Sequence, residues 1–391
     1  MDKNIQILGD IAKLGMGKKT YPFQIEDEKG FYLLVYENGM VGMVYHALEK
    51  DKISPYFHQV LTKDYYAYIA SDVKYHQAIK TLNQLLNNHQ IPHIFLKGAM
   101  LKNLYPESYM RAMGDIDILI HDHDLKKVHE LFKQENILLK SRSDAHDMFI
   151  MFQEITVEIH PKLYKDFNPR YEVLLSKPWD YASLFEAFEY KFDPVFEITY
   201  LLYHLAKHLD SSGIGIRSVL DIAFYVDTYK ESLDKQKLIH TLEQVGLKEF
   251  FTHMIKINML IFGFEDLNQF LISDVLSDER YDEIIHFIGW SGIHGKGRTF
   301  NPFQAQMSSA SLKNKNLFIY LLGLLFPSYQ TMKGMFPWLE KVKILYPLTW
   351  FFRWFKLVIL KGKSTIKKVM QLFVKKEDIE KTKQIFKDLG L

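Results

Sequence analysis

The chain has 391 residues, of which 48% are hydrophobic, and a net charge of only +2 at pH 7. That composition excludes a disordered polar chain, and the charge balance excludes a protein that coats nucleic acid with its whole surface. The absence of cysteine excludes a disulfide framework and a thiolate zinc site, and the length predicts two or three domains in a reducing, cytoplasmic setting.

The opening MDKNIQILGDIAKLG carries acids early and has no long apolar stretch, so no secretory signal is expected there. The first ninety residues read mainly as helix. Over Phe31–Leu48, Leu33, Leu34, Val35, Met40, Val41 and Met43 predict a short helix, a turn at Asn38-Gly39 and another helix. Tyr65–Asn88 predicts a longer amphipathic helix, because Ala67, Ile69, Ala70, Val73, Ala78 and Leu82 recur near helical spacing. Its tyrosines Tyr65, Tyr66, Tyr68 and Tyr75 are expected to pack rather than to stack on bases.

The stretch Ile91–Ile120, IPHIFLKGAMLKNLYPESYMRAMGDIDILI, organises the rest. An apolar strand runs to Lys97-Gly98 and opens a helix, which would bring backbone N–H groups and a point charge to a triphosphate. After Gly114, Asp115, Ile116, Asp117 and Ile118 alternate at period two, so both aspartates share one strand face and the isoleucines point into a core. Neighbouring carboxylates repel unless a cation lies between them or one is protonated, and hard oxygen ligands at this spacing suit Mg²⁺ or Mn²⁺.

Next, His121–Asp124 predicts a polar turn in which Asp122 and Asp124 cap a helix from Leu125 to Glu135 with Leu125, Val128, Leu131 and Phe132 on its apolar face; His121 and His123 are expected in solvent. Two short strands follow, Asp147–Phe152 and Ile155–His160. In the second, Thr156, Glu158 and His160 face opposite to Val157 and Ile159. Placed beside the Asp115–Asp117 strand, Glu158 completes a cluster of three acids. Such a cluster around one or two divalent metals is what in-line nucleotidyl transfer needs.

The strings LKGAMLKNLYP, R..GDIDILI and VEIH together resemble the nucleotidyltransferase fold of the polymerase-β superfamily, and in particular an uncharacterised bacterial branch with KG in place of glycine-serine. The resemblance implies an α+β fold: a small mixed-sheet core flanked by mainly helical N- and C-terminal regions. It places Gly98 and Ala99 at the phosphate-contacting turn, Asp115 and Asp117 at the metal pair, and Glu158 at the third acid. Lys97 would grip the triphosphate and Arg111 would neutralise transition-state charge. Two positions depart from the superfamily pattern: Ala99 has no hydroxyl for a phosphate, and the third acid is Glu rather than Asp. They leave open a second expectation, a nucleotide-binding or scaffolding protein of weak or no turnover.

From Pro194 the pattern is helical again. His204 and His208, four apart, share a helix face, and Arg217 and Asp221 follow on the next helix after a glycine-containing turn. A zinc pair would need an acid between the histidines, where Leu205, Ala206 and Lys207 stand. Similar H…H…R…D spacing in the resembling branch implies a helical domain over the cleft, in which these four contact nucleotide or acceptor, or tie two helices together. Residues 233–290 predict further helices, and His294–Gln306 a loop whose Lys296 and Arg298 are solvated.

Between Lys341 and Lys376 there are ten Lys or Arg and no acid, interleaved with Tyr346, Trp350, Phe351, Phe352, Trp354 and Phe355. Arg353 and Lys356 interrupt the run, so no transmembrane segment is expected. The stretch suits packing on the helical domain, an anionic membrane surface, or nucleic acid. The expected organisation is thus an N-terminal helical region (1–90), the nucleotidyltransferase core (91–190), a helical domain closing the cleft (191–306) and an aromatic, basic C-terminal region (307–391). The substrates would be an NTP such as ATP and an unidentified hydroxyl or phosphate acceptor, and a peripheral role in surface-polysaccharide or peptide assembly is a third expectation.

Overall fold

The computed structural model describes residues 1–391 except 18, 23, 144–145, 165–168, 296, 298–299, 313–322, 324–325 and 356–373. Helices α1 (Lys3–Met16), α2 (Glu28–Glu37) and α3 (Val41–Val44) lead into the long α4 (Pro55–Asn88). The predicted turn is present at Asn38-Gly39, where Gly39 takes a left-handed φ of +64°. Helix α4 starts at Pro55 rather than at Tyr65. Ser54 caps it, with Oγ accepting from Phe57 N at 3.2 Å, Pro55 fits the first helical position, and Phe57, Leu61 and Tyr65 extend the buried stripe. Tyr65 and Tyr75 pack as expected, but Tyr66 stands in solvent.

Strand β1 (His93–Leu96) is followed by a single helical turn, α5 (Gly98–Leu101), then by β2 (Asp115–Ile120), α6 (Leu125–Gln134), β3 (Leu138–Arg142), β4 (Asp147–Met151) and β5 (Ile155–His160). After α7 (Pro169–Leu175), β6 (Ala182–Glu186) and β7 (Glu189–Phe192) complete a seven-stranded mixed sheet in the order β3-β4-β5-β2-β1-β7-β6. Central β2 pairs antiparallel with β1 and parallel with β5, in a register that puts Asp117 beside Glu158. β3 escapes sequence reading because every one of its residues is exposed on the sheet edge, leaving no apolar alternation to see.

Alternation along β2 divides two cores. Ile116, Ile118 and Ile120, with Val157 and Ile159 of β5, pack against Val128 and Phe132 of α6 and Ala78, Leu82 and Leu86 of α4. Ile94 and Leu96 of β1, with Leu119 of β2, join the larger helical core instead. That core is built by α8 (Pro194–Ser211), α9 (Ile216–Tyr229), α10 (Lys235–Val245), α11 (Lys248–Phe262) and α12 (Asp278–Ser291). It also takes in Ile5, Leu8 and Ile11 of α1 and Phe386 of the C-terminal helix Lys376–Asp388, so both ends of the chain contribute to it.

Two local expectations are corrected. Asp124 makes no side-chain cap bond, because the chain already turns as a 3-10 helix over Asp122–Asp124 and Asp124 itself has helical φ and ψ. The segment read as a loop to Gln306 becomes α13 (Pro302–Leu312) in its second half, while Lys296 and Arg298 lie outside the described residues.

Buried Asn38 joins three helices. Its Nδ2 donates to Leu34 O and Gly289 O, both at 2.8 Å, and its Oδ1 accepts from Ile216 N at 2.7 Å. Because each buried group left unsatisfied costs about 1–3 kcal/mol, Asn38→Ala should lower stability by about 2–4 kcal/mol. Urea unfolding reads this as a lower midpoint, and an unchanged midpoint would contradict the assignment.

Candidate active site

The sheet face opposite α6 looks across a cleft of about 640 Å³ to α8 and α9. Asp115 and Asp117 project into it from β2 and Glu158 from β5, with one oxygen of each within 4.8 Å of the others. Parallel pairing in register accounts for this, since Asp117 and Glu158 sit opposite one another and a two-residue step keeps Asp115 on the same face. Glu158 is half-buried and lines the cleft rather than the far side of the sheet.

Lys97 ends β1 in an unusual left-handed conformation, φ +47°. A non-glycine residue there is strained by about 1–3 kcal/mol, and the strain accompanies a specific contact: Lys97 Nζ lies 2.6 Å from Asp117 Oδ1. The same oxygen accepts from His160 Nε2 at 2.8 Å. Gly98 follows because a Cβ there would meet Met113 Cγ at 2.9 Å and Arg111 Nη1 at 3.1 Å. Ala99 is buried in the turn and brings no hydroxyl to it.

The electrostatics split the two aspartates. Burial, then the negative charge of Asp117, pushes the Asp115 carboxyl up to about 6. Burial would raise Asp117 as well, but Lys97 and His160 overcome it and hold that carboxyl well below the usual range. Burial disfavours the charged forms of Lys97 and His160, but Asp117 outweighs it and raises both. Negative charge is thus compensated at Asp117 and left in excess around Asp115 and Glu158, and a dication would relieve that excess. The donor set fits such an ion: three carboxylates, with His146 and His160 converging on Glu158 from the other side.

The helical half grips the chain just before β2. Arg111 forms a bidentate pair with Asp221 of α9, Nε to Oδ1 at 2.7 Å and Nη2 to Oδ2 at 2.8 Å. Tyr105 donates to the same carboxylate at 2.7 Å, and Arg217 Nη1 donates to Ala112 O at 2.6 Å. Asp221 and Arg217 therefore tie α9 to the sheet domain, not α8 to α9, and Arg111 reaches the cleft already paired. His204 and His208 line the cleft on α8 with their Nε2 atoms 3.0 Å apart. Among the described residues neither belongs to a group of three metal-ligand side chains, so the zinc pair finds no third ligand.

Among the cleft residues that received no role from the sequence are His160, Tyr200 and His146. His160 shares the face of Glu158, and strand alternation alone was enough to find it. Tyr200 lies four residues before His204 on the α8 face that His204 and His208 mark. His146 comes from the connection into β4, where no local pattern announces it.

Two acids on one strand, a third on its parallel neighbour and a helical wall across the cleft define a nucleotidyltransferase core. The profile of the uncharacterised nucleotidyltransferase family matches residues 26–263, over half of the chain, and the chain belongs to that family. Comparison with curated proteins and with solved structures returns no match.

A pH prediction follows from Asp115. Its folded value is raised, so its contribution favours folding below about pH 4 and is lost as pH rises through 6. Asp115→Asn, uncharged throughout, should therefore gain stability over the wild type between those values and keep a lead of about 1–3 kcal/mol at pH 8 in metal-free buffer. Denaturant midpoints at pH 4 and pH 8 check it; equal differences at the two would show that Asp115 is not strained by charge.

Proposed function

We propose that the protein transfers a nucleoside monophosphate from an NTP to a hydroxyl or phosphate acceptor, with Asp115, Asp117 and Glu158 holding Mg²⁺ or Mn²⁺. The convergence of the three carboxylates on one cleft carries this reading. When bound, the metal supplies positive charge to the triphosphate and lowers the pKa of an acceptor hydroxyl. The acceptor oxygen attacks the α-phosphorus, the bond from that phosphorus to the bridging oxygen breaks, and pyrophosphate leaves. Glu158 is placed to help take the acceptor proton. Lys97 exchanges Asp117 for the triphosphate, the bare Gly98 turn lets phosphate approach the backbone, and Arg217, His204 and His208 meet the nucleotide or acceptor from the helical wall. Arg111 and Asp221 act as positioning residues that fix the approach to β2.

One observation favours the alternative of a nucleotide-binding protein with little turnover: Asp117 Oδ1 already accepts from both Lys97 and His160. Turnover separates the two. Wild-type protein should release pyrophosphate from NTP in a metal-dependent way, and Asp117→Asn should lose at least about 100-fold of it. No release by either protein across a broad acceptor panel, with equal NTP binding, would remove the enzyme reading.

We further propose that the C-terminal region meets an anionic membrane surface. Among the described residues no helix is long and apolar enough to cross a membrane, but Ile344, Phe351 and Phe355 stand 85%, 72% and 66% exposed in the basic stretch that begins at Lys341. Tyr346 and Trp350 instead turn inward and donate to Pro327 O, so packing accounts for only part of the aromatic set. Cutting the chain before Lys341 would also delete Ile385 and Phe386 from the core, which makes point substitution the cleaner test. Full-length protein should float with phosphatidylserine vesicles, and Phe351→Glu with Phe355→Glu should abolish flotation; unchanged flotation of the double variant would end this proposal.

A further inference from the structure

A second cavity, of about 270 Å³, lies behind the Gly98 turn, between β1, β7, α4, the start of α8 and the end of α9. The two hollows are neighbours: Gly98 faces the metal cleft, while Ala99 and Met100 wall the second cavity. Nothing in the proposed transfer uses it.

Its distinguishing feature is Glu197, in the first turn of α8. The side chain is buried, only 5% exposed, lines the cavity, and its Oε1 has no hydrogen-bond partner. An unpaired carboxyl in such a place is costly unless something meets it. A second carboxylate on the wall, Glu189 of β7, accepts from Asn83 Nδ2 at 2.8 Å. Phe95, Tyr190, Tyr225 and Tyr229 supply aromatic surface around the two acids, and the Tyr225 hydroxyl is spent on Pro194 O.

The cation nearest at hand does not fill the role. Lys191 also lines the cavity, but it is solvent-exposed and its ammonium sits over the Phe185 ring, 3.1 Å from the centroid. Two carboxyls beside one lysine disfavour an anionic ligand. A metal ion is a poor fit too, because among the described residues no group of three ligating side chains includes Glu189 or Glu197. A buried carboxyl set among aromatic rings matches an organic ammonium, whose N–H donors satisfy the Glu197 oxygen while its charge lies against the rings.

We propose that this cavity binds a small organic ammonium, a primary or secondary amine with a short apolar body, with the buried Glu197 carboxylate as its anchor. Burial pushes the empty Glu197 carboxyl up to about 8, so binding of an ammonium at neutral pH is coupled to release of the Glu197 proton. The site does not depend on the transferase reading, since none of its groups belongs to the carboxylate cluster.

Calorimetric titration of the full-length protein with n-butylammonium, n-butanol and butyrate tests it. Butylammonium should bind with one-to-one stoichiometry, while the isosteric alcohol and the acid should not. Glu197→Gln, nearly isosteric with the protonated acid and so compatible with the fold, should weaken binding by at least about tenfold, and Ile79→Phe, which fills the cavity from α4, should do the same. Absence of ammonium binding, equal binding of the alcohol, or undiminished binding by folded Glu197→Gln would each overturn the proposal.

Discussion

Asp117 is gripped from two sides, by Lys97 Nζ at 2.6 Å and His160 Nε2 at 2.8 Å on the same oxygen, and this grip lets three acids share one small volume. Unpaired carboxylates at such separations cannot all stay ionised. Here Lys97 and His160 offset the charge of Asp117, while burial and the repulsion from Asp117 push the Asp115 carboxyl up to about 6. The left-handed Lys97 backbone belongs to the same arrangement, because the strand must end abruptly for its lysine to fold back over β2. Lys97 thus serves as an internal counter-ion to Asp117, and under the proposed function a substrate phosphate and a dication would replace it together.

The cleft is then closed by a second, deeper pairing. Arg111, Tyr105 and Asp221 form a buried network between the sheet and α9, and Arg217 adds a bond to the Ala112 carbonyl. Removing one partner of a buried bidentate pair costs about 3–5 kcal/mol because the other charge is stranded. The helical wall is therefore tied to the chain just before β2.

Much of this was legible in the chain. Period-two alternation gave β2 and β5 and the shared face of their acids, since a one-residue slip would have sent every isoleucine to solvent. Helical spacing gave α4, α8 and α9, and the H…H…R…D residues did fall on the cleft. Edge strands β3 and β6 were invisible because almost wholly exposed edges carry no apolar alternation. The partners of Asp221 were equally hidden: a carboxylate one turn after Arg217 suggests a local pair, whereas it reaches Arg111, 110 positions away in sequence. His146 and Glu197 owe their importance to what surrounds them, and no spacing rule encodes that.

A structure with Mn²⁺ and a non-hydrolysable NTP tests the central claim most directly. The account predicts metal bound by Asp115, Asp117 and Glu158, with the Lys97 ammonium moved from Asp117 onto a phosphate oxygen. Nucleotide bound elsewhere, or metal absent while Lys97 remains paired with Asp117, would contradict it.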